Sequence, residues 1–244
     1  MMKAQGTIWL IVPAAGRGTR MGATQPKQYL PLAGRPVLAH TLERLCQAYP
    51  EACLCLCLDA RDSWFDTAWV PYDDWRRVDG GDERSDSVMQ ALEAIADDAD
   101  DDDLVIVHDA ARPCVSHSDL LHLKTVLTQD PIGALLAAPV ADTMKRADDH
   151  SRIRYTESRE RLWHALTPQG FRYRLLYEAL QYVLRSGVPI TDEASAVEAL
   201  GYSPQLVVGR RDNLKITHPD DLVMAELVLA AQASSSRQPG SALT

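Results

Sequence analysis

The segment Cys53–Leu58 alternates cysteine with leucine and carries no charged side chain. In an extended strand this alternation places the cysteines on one face and the leucines on the other. A strand that is apolar on both faces is typical of a parallel sheet covered by helices on both sides. We therefore predict a buried central strand here, and an α/β fold around it.

Apolar periodicity along the rest of the chain favours the same fold class. The predicted strands are Thr7–Val12, Cys53–Leu58, Leu104–Val107, Ala134–Ala138 and Gln205–Val208. The predicted helices follow Val37 and cover Ser85–Ala96, Leu120–Leu127, Arg172–Ser186 and Pro219 to about Ala231. Strands that alternate with helices predict a mostly parallel, doubly wound (Rossmann-like) sheet. Such sheets bind ligands at the carboxyl ends of their strands.

The 244-residue chain is long enough for one large α/β domain. We predict a single domain over residues 1–231 and a disordered, serine-rich tail over residues 232–244. Within the domain, the polar segment 142–161 is predicted to project as a β-hairpin, although a long surface loop explains its composition equally well.

No apolar run approaches the roughly 20 residues that cross a bilayer, so we expect a cytoplasmic protein. In that compartment the five cysteines are expected to be reduced and structural. A metal or redox role for the alternating cysteines of Cys53–Leu58 is the less favoured alternative.

The net charge of −9 argues against general nucleic-acid binding. Residues 1–42, however, contain five basic residues and no acidic one, which favours a site for a small anion. The opposite extreme is Asp97–Asp103, with six carboxylates in seven residues. Consecutive aspartates do not converge on one point, so we expect a solvated loop there rather than a cation site.

The strongest chemical signal is the small-residue loop after the first predicted strand. Gly16 and Gly18 would let backbone N–H groups close around phosphate oxygens, and Arg20 and Lys27 add positive charge. The loop lacks the third glycine of a dinucleotide fingerprint and the Gly-Lys-Ser/Thr ending of a P-loop. Taken alone, it is also compatible with an ordinary turn between a strand and a helix.

The pattern Pro-Ala-Ala-Gly-x-Gly-x-Arg-Met, followed by Pro-Lys-Gln, resembles that of nucleotidyltransferases of the sugar-nucleotide type. Six further motifs narrow the resemblance to the 2-C-methyl-D-erythritol 4-phosphate cytidylyltransferase family. They are Asp79–Val88, Val107–Pro113, Ala138–Lys145, Leu162–Gln169, Thr191–Ser195 and Asn213–Thr217. The resemblance extends in order from about Thr7 to Ala231.

The resemblance implies an enzyme that joins CTP to methylerythritol phosphate and releases pyrophosphate, in non-mevalonate isoprenoid synthesis. The acceptor phosphate would attack the α-phosphorus of CTP in line, with Mg²⁺ or another divalent cation bridging phosphates. Two polyanions must then be brought together, so positioning and charge stabilisation are the main tools of catalysis. No protein nucleophile is required.

The resemblance also assigns roles to individual residues. The implied catalytic residues are Arg20, Lys27, Arg159 and Lys215. The implied CTP contacts are Ala14, Ala15, Gly16, Gly18, Gly81, Asp82, Ser87 and Asp109, of which Asp109 is also the one candidate metal ligand. The implied contacts of the second substrate are Arg112, Asp142, Thr143, Thr167 and Thr191. A hydrogen-bonding structural role is expected for His108 and His164.

Because Arg159 and Thr143 would belong to an arm that reaches a neighbouring subunit, a homodimer with exchanged arms is expected, with neither nucleic acid nor membrane as a partner. Three alternatives remain: a ribitol 5-phosphate cytidylyltransferase, a fused bifunctional enzyme and a catalytically silent nucleotide-binding module. The 13 or so residues after the last predicted helix leave no room for a fused domain, and the four implied catalytic cations argue against a silent module.

Overall fold

The computed structural model describes residues 6–16 and 25–236 of the chain. The strands are β1 Ile8–Pro13, β2 Pro31–Leu32, β3 Arg35–Pro36, β4 Cys53–Leu58, β5 Trp75–Asp79, β6 Leu104–Val107, β7 Gly133–Pro139, β8 Met144–Ala147, β9 Ile153–Glu157, β10 Trp163–Arg172 and β11 Gln205–Val208. The helices are α1 Val37–Ala48, α2 Arg84–Ala94, α3 His117–Gln129, α4 Tyr173–Ser186, α5 Glu193–Ala199 and α6 Pro219–Ser236, with 3-10 turns at Lys27–Tyr29 and Thr67–Trp69.

Seven strands form one central sheet in the order β11-β7-β10-β6-β1-β4-β5. Neighbouring strands are parallel except β10, which is antiparallel to both β6 and β7. The predicted mostly parallel, doubly wound sheet is therefore confirmed. The carboxyl ends of β1, β4, β5, β6, β7 and β11 consequently share one edge of the sheet, which is where a ligand site is expected.

The alternation in β4 divides the core as predicted. Leu54, Leu56 and Leu58 pack in a buried cluster with α1 and α3 on one face of the sheet. The cysteines pack on the opposite face, where α2, α4 and α5 cover them. All five cysteines are free thiols, and burial raises the pKa of Cys55 and of Cys57 to about 12. These thiols are protonated side chains of the core, which agrees with the structural interpretation.

The segment predicted to project as a hairpin does form one. Strands β8 and β9 pair antiparallel in a small sheet of their own, between the end of β7 and the start of β10. Its exposed residues include Met144, Ile153 and Tyr155. We call residues 142–161 the arm.

Several elements differ from the prediction. Helix α6 continues to Ser236, so five residues that were assigned to the tail are helical, and residues 237–244 lie outside the described part of the chain. Asp103, expected in a solvated loop, is buried and accepts hydrogen bonds from Thr7 N and Trp9 Nε1. None of the described helices is long and apolar enough to cross a bilayer.

Candidate active site

A cavity of about 290 Å³ lies at the carboxyl ends of β1, β5 and β6. Every described residue to which the sequence assigned a nucleotide contact lines it: Ala14, Ala15, Gly16, Gly81, Asp82, Ser87 and Asp109. Lys27 and Lys215 line it as well. Gly18 and Arg20, the other two predicted residues of the nucleotide loop, lie outside the described residues.

The loop that follows β1 is fixed by a hydrogen bond from a buried glutamine. Gln28, in the 3-10 turn Lys27–Tyr29, donates from Nε2 to the carbonyl of Ala14 at 2.6 Å. The next residue, Tyr29, donates its hydroxyl to Asp62 at 2.5 Å. Two consecutive side chains therefore fix the turn that carries Lys27 beside the cavity.

Two glycines in the connection between β5 and α2 allow it to pack closely, Gly80 against this loop and Gly81 against α2. A Cβ on Gly80 would come within 2.3 Å of the Cβ of Ala15, and a Cβ on Gly81 within 2.3 Å of the Cβ of Asp86. Real atoms do not approach so closely, so any side chain here would push the cavity wall apart. The N–H of Gly81 donates to Ser87 Oγ at 3.1 Å, which ties the connection between β5 and α2 to the first turns of α2.

Asp109, the second residue after β6, is buried among three cations. Its Oδ1 accepts from Arg84 Nε at 2.9 Å, and its Oδ2 lies 2.9 Å from Lys215 Nζ and 3.3 Å from Arg112 Nε. Burial alone would raise the pKa of this carboxyl, but the three cations outweigh burial and hold the pKa well below its usual range. Asp109 is therefore an anion that aligns three cationic groups, of which Arg84 and Lys215 line the cavity.

The neighbouring residue, His108, is fully buried, and its hydrogen bonds determine its tautomer. Nε2 lies 3.2 Å from the carbonyl of Arg112, which can only accept, so Nε2 carries the proton. Nδ1 then accepts from the hydroxyl of Thr167 at 3.0 Å, and that hydroxyl oxygen accepts from the N–H of Asp109 at 3.1 Å. Burial lowers the pKa of His108 to about 4. The structural role expected of His108 is thereby confirmed, whereas His164 is exposed.

The two described lysines of the predicted catalytic set are brought together by the backbone. Lys27 Nζ donates to the carbonyl of Ile216 at 2.9 Å, and Ile216 follows Lys215 in the chain. The two ammonium groups thus belong to one rim of the cavity although 188 positions separate them. Their joint positive charge suits a polyphosphate.

The residues predicted to contact the second substrate divide into two groups. Arg112 and Thr167 are buried and contact Asp109 directly, but they are not part of the cavity lining. Asp142, Thr143 and Arg159, all in the arm, are exposed, and Arg159 donates to the carbonyl of Ala141. Thr191, also exposed, precedes α5.

Four polar residues of the site received no role from the sequence. Gln28, Glu83 and Arg84 line the cavity, and Glu193 pairs with Arg84 through its Oε1. Each lies inside a stretch that resembles the family pattern, and Arg84 and Glu193 are the first residues of α2 and α5. Membership of those stretches was the signal that could have identified them.

The donor set is poor for a resident metal ion. Among the described residues, no group of three or more histidine, cysteine, aspartate or glutamate side chains could hold one. Asp109, the predicted metal ligand, already has both carboxylate oxygens engaged by cations. Its metal role stays a prediction, and these partners would have to give way for it.

Comparisons with known proteins agree with one another. Residues 8–231 match the sequence model of the family described as IspD, 2-C-methyl-D-erythritol 4-phosphate cytidylyltransferase. A protein of that name from Chromohalobacter salexigens is 61% identical over 233 residues, which cover 96% of this chain and 94% of the relative. One from Shewanella amazonensis is 52% identical over 230 residues, covering 94% and 96%.

Solved structures give the same result. The crystal structure of the Francisella tularensis protein of that name superposes with a TM-score of 0.79 at 31% identity, over 91% of this chain and 99% of the other. A crystal structure described as 4-diphosphocytidyl-2C-methyl-D-erythritol synthase gives a TM-score of 0.79 at 33% identity, over 92% and 99%. On the family model, the sequence identities and the shared fold, this chain is a nucleotidyltransferase that belongs to the 2-C-methyl-D-erythritol 4-phosphate cytidylyltransferase family.

Proposed function

We propose that the enzyme transfers the cytidylyl group of CTP to 2-C-methyl-D-erythritol 4-phosphate in the cavity at the carboxyl edge of its sheet. The observation that carries the proposal is the convergence of Lys27, Lys215 and the predicted nucleotide contacts on one cavity. The relatives named for this reaction support methylerythritol phosphate as acceptor over ribitol 5-phosphate.

In this mechanism an oxygen of the acceptor phosphate attacks the α-phosphorus of CTP. A new oxygen–phosphorus bond forms as the bond from the α-phosphorus to the bridging oxygen breaks, and that oxygen leaves with pyrophosphate. Negative charge increases around the α-phosphorus in the transition state, and fixed cations stabilise it. Lys27 and Lys215 are positioned for this role, and Arg20 is the third cation that the sequence predicts.

The cytosine and ribose would occupy the part of the cavity between the β1 loop and the start of α2. Ala14, Ala15 and Gly81 line this part with backbone. The N–H of Ala14 already donates to Cys57 and that of Gly81 to Ser87, so other backbone groups of these residues would contact the base. Backbone N–H and C=O groups can distinguish the amide-like edge of cytosine without an aromatic platform. Asp109 lies at the same wall, where a carboxylate can accept from a ribose hydroxyl.

The divalent cation is proposed to enter with CTP, coordinated mainly by phosphate oxygens. The shortage of protein ligands supports this interpretation, because Mg²⁺ is commonly bound through substrate phosphates and few carboxylates. The protein's own contribution is to hold the nucleotide and its charge in place.

We also propose a homodimer in which each arm completes the site of the other subunit. An isolated two-stranded hairpin is marginally stable in water, and this one exposes Ile153 at 66% and Tyr155 at 52%. A second subunit would cover this apolar surface and receive Arg159, Thr143 and Asp142. Arg112, Thr167 and Thr191 would meet the acceptor from the subunit that binds CTP.

Pyrophosphate release tests the proposed reaction. Purified protein with Mg²⁺ and CTP is supplied with methylerythritol phosphate, ribitol 5-phosphate or no acceptor. We expect release with methylerythritol phosphate and at most a small fraction of that rate with the others. A preference for ribitol 5-phosphate would overturn the acceptor assignment, and folded protein that binds CTP without any release would favour a silent binding module.

A further inference from the structure

The first residues of helices α2 and α5 form a chain of contacts that leads to Asp109. Arg84 begins α2, and Glu193 begins α5 after an N-cap at Asp192. The position of Glu193 is fixed by β10, because Gln169 accepts from the N–H of Ala194 at 2.9 Å and donates to Asp192 at 2.9 Å. Glu193 is therefore held rigidly from the sheet.

Arg84 joins the two carboxylates. Its Nε donates to Asp109 Oδ1 at 2.9 Å, and its Nη1 donates to Glu193 Oε1. Arg84 is 27% exposed and lines the cavity, whereas Glu193 is 1% exposed and lies behind it. A planar guanidinium between two carboxylates fixes the orientation of both, which a single ammonium group cannot do.

The positive charge of Arg84 at the cavity is stabilised by the two carboxylates that it joins. Burial opposes the charge of Arg84, but Glu193 and Asp109 more than compensate, so its pKa lies above the usual value. Because Arg84 occupies Oδ1 of Asp109, Oδ2 is left to Lys215 and Arg112. The orientation of the Lys215 side chain thus depends on the contact between Arg84 and the other carboxylate oxygen of Asp109.

Some buried polar atoms of the pair have no hydrogen-bond partner within the part of the protein that the structure describes. Among the described residues, four buried side-chain atoms lack a hydrogen-bond partner: Tyr72 Oη, Arg84 Nη2, Glu193 Oε2 and Asn213 Oδ1. Two belong to this pair, and a third belongs to Asn213, whose main-chain carbonyl accepts from Arg112 Nη1 at 2.7 Å. Within the protein's own contacts, these three atoms therefore belong to Arg84 and to residues that contact Arg84 or Arg112, the two arginines bound to Asp109.

We infer that Arg84 and Glu193 are positioning residues of this active site: Glu193 holds Arg84, which fixes the carboxylate of Asp109 and thereby the ammonium group of Lys215. The inference rests on the proposed function and deepens it. It concerns the groups that Asp109 orients, which are Lys215 and also Arg112, a predicted contact of the acceptor.

The test compares Arg84→Lys and Glu193→Gln with the control Glu198→Gln, which changes an exposed carboxylate on the same helix. A displacement of about 1 Å can cost about 100-fold in rate, so we expect kcat to fall by about 10- to 100-fold in Arg84→Lys and by about 10-fold in Glu193→Gln. Glu198→Gln should match the wild type in kcat and in the KM for either substrate.

A purely structural role is separated by a double-variant cycle. If Arg84 acts through Lys215, then Arg84→Lys should lower kcat by less than about two-fold in a Lys215→Ala background. The inference would be overturned if the fold-losses in kcat of the two single variants multiply in the double variant while all three variants keep the melting temperature of the wild type.

Calorimetric titration with CTP, without acceptor, tests the inference independently of turnover. We expect the Kd for CTP to rise about 10-fold in Arg84→Lys and to stay unchanged in Glu198→Gln. An unchanged Kd and kcat in Arg84→Lys would overturn it. A wild type that binds CTP but lacks turnover would reject the proposed function instead, and the effect of Arg84→Lys on Kd would then decide this inference.

Discussion

At the scale of single residues, the hydrogen bonds of His108 constrain what Thr167 can do. The one hydroxyl proton of Thr167 is donated to His108 Nδ1, and its oxygen already accepts from the N–H of Asp109. To donate to a substrate phosphate, Thr167 would have to release His108. As an acceptor it retains a second lone pair, so its predicted contact with the second substrate is restricted in direction.

The stability of the protein should depend on pH through His108. Its pKa is about 4 in the folded protein and about 6.5 when unfolded, so the unfolded state takes up a proton first. The free energy of unfolding should be highest above pH 6.5 and fall toward pH 4. We expect His108 to account for roughly 2–3 kcal/mol of loss by pH 4.5.

Urea unfolding at pH 7.5 and 4.5 measures this loss in the wild type and in His108→Asn, which keeps an acceptor near Thr167. The pKa of His40 is also lowered by burial and contributes in the same direction, so the difference between the two proteins isolates His108. An equal loss in His108→Asn would contradict the assignment. The carboxyl of Asp109 titrates below this range and does not interfere.

The sequence predicted which residues line the cavity better than it predicted how they are held. Small residues in a loop and cations nearby are themselves the chemical signal for phosphate, so Gly16 and Lys27 could be identified. Arg84 and Glu193 act through a contact between the starts of two helices that are 109 positions apart. No local pattern in a single sequence encodes such a pairing.

At the scale of elements, the connection between β5 and α2 can approach the β1 loop because Gly80 has no side chain. In Gly80→Ala the new Cβ would lie 2.3 Å from Ala15 Cβ and 3.0 Å from Ser87 Oγ. We expect overpacking to lower the free energy of unfolding by about 1–3 kcal/mol and, by displacing Ala15, to weaken CTP binding about 10-fold.

Urea unfolding and calorimetric titration with CTP check both expectations, with Gly209→Ala as the matched control. A Cβ at Gly209 would meet its nearest neighbour, Leu136 Cβ, at an ordinary 3.4 Å. If Gly80→Ala bound CTP as tightly as Gly209→Ala does, the close approach would have no role in forming the cavity.

Elements with an uninterrupted apolar run were predicted well, including the exposed edge strand β11, and elements without such a run were not. The bounds of β4, β6 and β11 match the prediction. Strand β5 was missed because it is a charged edge strand with only Val78 buried, and β10 because Pro168 and a broken register with β7 interrupt its pattern. Helix α5 is seven residues long, and its capping residues Asp192 and Ser195 were its only clear signal.

At the scale of the whole molecule, the proposed exchange of arms between subunits predicts complementation between two inactive variants. A Lys27→Ala subunit would lend an intact Arg159 to its partner, and an Arg159→Ala subunit would retain an intact Lys27. Random pairing makes half of the dimers mixed, with one complete site in each, so about a quarter of wild-type activity should return.

Pyrophosphate release from co-refolded subunits measures the recovery, and each variant alone is the control. If mixed dimers are demonstrated but activity stays at the level of the single variants, Arg159 acts in the site of its own subunit. The arm would then need another explanation for its exposed apolar residues.

The one antiparallel strand of the seven-stranded sheet, β10, has a consequence for how such a protein can change over evolutionary time. Pro139 and Trp163 are paired in the ladder between β7 and β10, so the arm leaves and re-enters the sheet at adjacent points. To the rest of the chain the arm is an insertion with fixed ends, and lengthening or shortening it costs little entropy of loop closure. With the roles proposed for the arm, assembly and acceptor recognition can therefore diversify by changing it, while the strands that shape the nucleotide cavity stay the same.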